Sequence, residues 1–83
     1  MSFNEKASKI EAALKAGKKI NDSDLLSLYG AYKQAKVGDN KTPAPGMLNM
    51  KDSAKWKAWT AMKGKSKGDA ERAYVNFATK LGY

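Results

Sequence analysis

Apolar residues recur along this chain at intervals of three and four, in four separate stretches, and no stretch reads convincingly as a strand. Residues three and four apart share one face of an α-helix, so this period constrains the fold to helices that bury a stripe each. In the first stretch Phe3, Ala7, Ile10 and Leu14 follow at steps of four, three and four. Ser2 with Glu5 three residues on forms a capping box at its start, and Gly17 ends it. A second helix begins near Asp22 or Ser23, runs through Leu25, Leu28, Tyr29 and Tyr32, and stops at Gly38. Gly30 inside it costs up to about 1 kcal/mol relative to alanine, and such a glycine marks the close approach of another element or a ligand. A third helix starts near Asp52 or Ser53 and carries Trp56, Trp59 and Met62 at threes. The fourth starts at Ser66, with Asp69 as capping partner, and its stripe is Ala70, Ala73, Tyr74, Phe77, Ala78 and Leu81.

The spacing therefore predicts helices near 3–16, 22–37, 51–63 and 66–82. Between the second and third, residues 38–50 contain Pro43, Pro45 and Gly46, which exclude a helix through their middle. Met47, Leu48 and Met50 give this loop apolar groups able to pack back on the helices. A loop of this length is uncommon in a small domain and is often functional; it also lets the helices it joins run in non-adjacent or parallel fashion. The expected fold is all-α: a four-helix bundle forming one domain over residues 1–83.

Cysteine and histidine are both absent, so no disulfide supports the fold and a packed apolar core must. No stretch approaches the roughly 20 apolar residues of a membrane-spanning helix, and the first six residues lack the apolar segment of a secretory signal. The expectation is a soluble, cytoplasmic monomer.

The formal net charge of +8 points to an anionic partner. Of the sixteen basic residues only Arg72 is arginine. Readers of base edges favour the planar arginine fork, whereas lysine serves as a point charge for phosphate. This weighs against the main rival reading, a small basic helical nucleic-acid-binding module. A peripheral membrane protein fits less well, because no helix pairs a broad apolar face with a densely basic one. Nothing supports catalysis: no thiol, no imidazole, no phosphate loop and no metal-ligand spacing, and most acids sit where helix caps explain them. No metal, cofactor or catalytic residue is assigned.

What remains is a set of tyrosines and lysines. Tyr29, Tyr32, Lys33 and Lys36 span an arc of about 100° on the second helix, with Leu25 one turn before Tyr29. The face grades from apolar to aromatic to basic, which suits a ligand with an acyl tail, a planar base and phosphates. Tyrosines at helical spacing are more often core, but a dry core tolerates the two lysines poorly. By periodicity alone Trp56, Trp59 and Tyr74 read as core.

Residues 29–39 read YGAYKQAKVGD, followed by PGM at 45–47, KW at 55–56, AW at 58–59 and KGKS at 63–66. This string resembles the acyl-CoA-binding protein family from about Asp22 to Tyr74 without a gap, and more weakly toward both ends. The resemblance implies an up-down-down-up bundle that binds medium- to long-chain fatty acyl-CoA without reacting with it. It implies that Tyr29, Lys33 and Lys55 hold the 3′-phosphate, that Tyr32 packs on adenine and that Tyr74 contacts the coenzyme A part, moving Tyr74 from core to site. It also implies buffering and transport of the ligand, with transient contact with membranes or acyl-CoA-using enzymes. One departure is that the family's basic residue late in the first helix aligns with Leu14, beside Lys15. The tail is expected in a groove formed by Leu25 and the apolar residues of the first helix.

Overall fold

The computed structural model describes residues 2–46 and 49–83. Four helices follow one another: α1 (Phe3–Lys15), α2 (Asp22–Lys36), α3 (Met50–Thr60) and α4 (Lys67–Lys80). The capping box of α1 is formed, with Ser2 Oγ accepting from the Glu5 N–H and Glu5 reaching back to the Ser2 N–H. Ser66 caps α4 through the Asp69 N–H. At the other two starts the cap is an asparagine just upstream of the expected residues. Asn21 Oδ1 accepts from the Asp24 N–H, and Asn49 Oδ1 from the Asp52 N–H. Asparagine caps as well as serine or aspartate, so the expected caps lie one to four residues late, while the helices themselves begin at or one residue before the expected 22 and 51. Helix α3 therefore takes Met50 from the loop, and that side chain is 81% exposed rather than packed back. Met47 and Leu48 lie outside the described residues. The C-terminal end of α3 is also shorter than expected, with residues 61–64 in turns closing on Gly64, whose φ of +89° favours glycine.

Side-chain pairings give the directions. Along the α2–α3 seam Leu25 lies by Met50 and Ala54, Tyr29 by Lys55 and Gly30 by Ala58, so the two helices run parallel. Along α2–α4, Ser23 meets Phe77, Tyr32 meets Tyr74 and Gly38 meets Lys67, which is antiparallel. Phe3 meets Tyr74, and Lys6 Nζ donates to the Tyr83 carbonyl at 2.6 Å, so α1 runs with α4. The order is up-down-down-up, with α2 central between α3 and α4. Phe3, Ile10, Leu28, Ala31, Ala35, Ala70, Tyr74 and Ala78 form one buried cluster. Its many alanines let the backbones approach closely, and on the α2–α3 side Gly30 carries this furthest.

The central loop is tied down by polar bonds. Gln34 is fully buried, and its Nε2 donates to Asp39 Oδ1 and to the Lys65 carbonyl, both at 2.8 Å. Asp39 Oδ1 also accepts from the Gly64 N–H at 2.9 Å. The Gly64 and Gln34 donors hold the Asp39 carboxyl below its ordinary range. Trp59 Nε1 donates to the Gly38 carbonyl at 2.8 Å, and Trp56 Nε1 to the Thr42 carbonyl at 2.9 Å. These bonds pin the start of the loop to α3 and place its prolines beside both tryptophans.

Candidate functional site

The shared arc on α2 divides in two, because its edges lean on different neighbours. On the α3 side Lys55 Nζ stands 5.5 Å from the Tyr29 ring centroid, and Lys33 Nζ 4.8 Å from that of Trp59. Both are within cation–π range. Tyr29, Lys55, Trp56 and Trp59 line one cleft of about 250 Å³, closed on the loop side by Pro43 and Pro45. Trp59 is nearly buried, at 8% exposure, while Trp56 is half-buried. Only Trp59 is buried as periodicity predicts; Trp56 is not core, and both form a wall of this cleft. The signal for that role was their position beside Lys55, one helical turn apart.

On the α1–α4 side Tyr32 is 38% exposed and lies 6.1 Å from Tyr74, ring to ring. Phe3 completes the cluster at 5.8 Å from Tyr32 and 5.1 Å, edge to face, from Tyr74. Tyr32 and Tyr74 line a second cleft, of about 490 Å³, with Ile10, Leu14 and Lys36. Tyr74 is buried, at 4% exposure, as its periodicity predicts, and it also lines this cleft. Burial, reinforced by Tyr32 and Glu11, pushes its phenol up to about 12, so it stays a neutral hydroxyl near neutral pH.

Leu25 is in neither cleft. It lines a third, of about 420 Å³ and mostly apolar, with Leu26, Met50 and Ala54, flanked by Lys51 and Lys55. Leu25 and the first-helix residues therefore do not share the one groove expected of them: Leu25 faces a cleft whose second wall is α3, and Ile10 and Leu14 line the Tyr32–Tyr74 cleft. The parallel α2–α3 pairing is the cause, since it sets the first turns of both helices side by side. Lys55 lines both the apolar cleft and the Tyr29 cleft, so the two adjoin at its ammonium.

Each cleft also has one carboxylate in its lining, Asp52 beside Tyr29, Glu11 beside Tyr32 and Asp22 beside Leu25, and several of the acids already have partners. Glu5 bonds Ser2, Glu11 pairs with Lys15, Asp52 bonds Asn49 and Asp69 bonds Arg72. Among the described residues Lys33, Lys36 and Lys55 form no ion pair with a carboxylate, and no group of three or more metal-binding side chains is gathered. The arrangement offers lysines on aromatic walls beside an apolar cleft.

The family model described as Acyl CoA binding protein matches residues 1–78. The chain belongs to the acyl-CoA-binding protein family. It is 48% identical over 79 residues to acyl-CoA-binding protein 2 of Saccharomyces pastorianus, covering 95% of this chain and 87% of that one. It is 43% identical over 79 residues to the acyl-CoA-binding protein homolog of Drosophila melanogaster, covering 95% and 88%. The crystal structure of Oryza sativa acyl-CoA-binding protein 2 superimposes with a TM-score of 0.85 at 43% identity, over 95% of this chain and 84% of that one. The up-down-down-up bundle is therefore the fold of solved acyl-CoA-binding proteins.

Proposed function

We infer that this chain binds fatty acyl-CoA esters, and buffers and transports them, with Tyr29, Lys33 and Lys55 on the 3′-phosphate, Tyr32 and Tyr74 at the adenine, and Leu25 against the acyl chain. Membership of a binding-protein family supports the ligand class. The single observation that carries the assignment of residues is that Lys55 lines both the Tyr29 cleft and the apolar one, so one ligand can place phosphates and tail on either side of it. Each charge-assisted hydrogen bond to phosphate contributes about 1.5–3 kcal/mol net. Each buried methylene adds roughly 0.8 kcal/mol. After the costs of association the sum reaches nanomolar affinity, about −12 kcal/mol.

We propose further that the protein acts as a cytoplasmic monomer, reacts with nothing it carries, and touches membranes or acyl-CoA-using enzymes only transiently. Because Trp56 and Trp59 wall the cleft, their fluorescence tests the reading. Titration with palmitoyl-CoA should change it saturably, and duplex DNA or anionic vesicles should not. A saturable response to DNA alone would replace this function with the nucleic-acid reading.

A further inference from the structure

We propose that Lys36 is a third cation of the head-group site and meets the ligand's diphosphate, leaving the 3′-phosphate to Lys33 and Lys55. The proposal rests on the acyl-CoA reading. Lys36 is exposed, and its Nζ lies 5.5 Å from the Phe3 ring centroid and 6.0 Å from that of Tyr32. It is the cation lining the Tyr32–Tyr74 cleft, and the other charged residue there is Glu11. Glu11 is paired with Lys15 at 3.1 Å, so its charge is offset within α1 rather than by Lys36. From α1 this cleft receives Leu14, which is 43% exposed and apolar. No positive charge reaches the aromatic cleft from α1, and the positive charge comes from α2 instead.

The division of labour follows from the two halves of the arc. Lys33 and Lys55 stand on the α3 side, over Trp59 and Tyr29, whereas Lys36 stands on the α1–α4 side, over Phe3 and Tyr32. Residues three apart on a helix are separated by about 5–6 Å between their Cβ atoms. The 3′-phosphate and the 5′-diphosphate leave different carbons of one ribose, so two anionic centres flank the sugar that the adenine on Tyr32 brings to this face. A single-turn step from Lys33 to Lys36 spans such a pair. Its ammonium already stands over two ring faces, which lowers the entropy lost when it engages phosphate.

The test is calorimetric titration of wild type, Lys36→Met, Lys36→Arg and Lys33→Met with palmitoyl-CoA and with its 3′-dephospho analogue. Lys36→Met keeps the apolar stem and removes the charge. It should weaken both ligands by the same factor, about tenfold, with the loss shrinking as salt is raised. Lys36→Arg should bind like wild type, and the loss in Lys33→Met should vanish with the dephospho ligand. Unchanged affinity in Lys36→Met would overturn the proposal. So would a loss confined to the 3′-phosphorylated ligand, or an equal loss in Lys36→Arg. Failure of wild type to bind palmitoyl-CoA would instead overturn the acyl-CoA reading itself.

Discussion

Replacing Gly30 with alanine sets two effects of known size against each other. Alanine inside a helix is favoured over glycine by about 1 kcal/mol. A Cβ built at Gly30, however, lies 2.5 Å from the Ala58 carbonyl oxygen and 2.9 Å from its carbon. Carbon contacts are comfortable at about 3.5–4.0 Å, so α3 must retreat by roughly 1 Å. The obstacle is helix backbone, which cannot rotate aside. Overpacking of this kind costs about 1–3 kcal/mol, and the retreat also loosens Trp59 from Gly38 and Lys55 from Tyr29. We expect Gly30→Ala to lose about 1–2 kcal/mol net, read as a lower urea midpoint at unchanged slope, or a melting temperature lower by about 4–8 °C per kcal/mol. Gly68→Ala is the control. It sits in the first turn of α4, where a Cβ would meet only the end of Arg72 at 4.0 Å. That variant should gain up to about 1 kcal/mol. If Gly30→Ala gained as much as Gly68→Ala, the close α2–α3 seam would be refuted.

Three further outcomes follow from the same geometry. Replacing Lys33 or Lys55 with alanine should weaken palmitoyl-CoA by about 1.5–3 kcal/mol and leave the dephospho ester nearly unaffected, as calorimetry would show. The folded-state phenol of Tyr74 is raised to about 12 from 10.0, so the folded protein holds a proton that the unfolded chain has released. Stability should therefore fall as pH rises from about 10 to 12, and Tyr74→Phe should flatten that fall in denaturant titrations across the window. Asp39 has a lowered folded pKa, so its contribution is present above the ordinary carboxylate value of 3.8 and lost as pH falls through the folded one. Asp39→Asn should be less stable than wild type near neutrality, with the gap closing in acid.

The helices were legible because each carries an apolar stripe at the helical period, but the stripes do not give direction, and the up-down-down-up order came from the resemblance. Two caps were misplaced, at Asn21 and Asn49, because aspartate and serine downstream offer equally good caps, and only the backbone decides among them. The tyrosine–lysine face proposed for the phosphates was legible because Tyr29, Tyr32, Lys33 and Lys36 share one helix and hence one arc. The surroundings of Leu25 were not. A stripe tells which face of a helix is buried but not which partner covers it, so Leu25 was matched with α1 when the parallel register sets it against Met50 and Ala54. Trp56 and Trp59 were read as core because a half-buried aromatic wall has the same period as a buried one.

The central claim is that one ligand spans Lys55, with phosphates on the aromatic side and a tail between α2 and α3. Calorimetry with free coenzyme A and a series of its acyl esters tests it most directly. Affinity should rise with chain length by no more than about 0.8 kcal/mol per methylene and level off once the cleft of Leu25, Leu26 and Ala54 is full. Leu25→Asn, which removes the apolar wall without adding a charge beside Lys55, should flatten that rise while leaving the affinity for free coenzyme A nearly unchanged. Equal affinity for free coenzyme A and its palmitoyl ester would contradict the account.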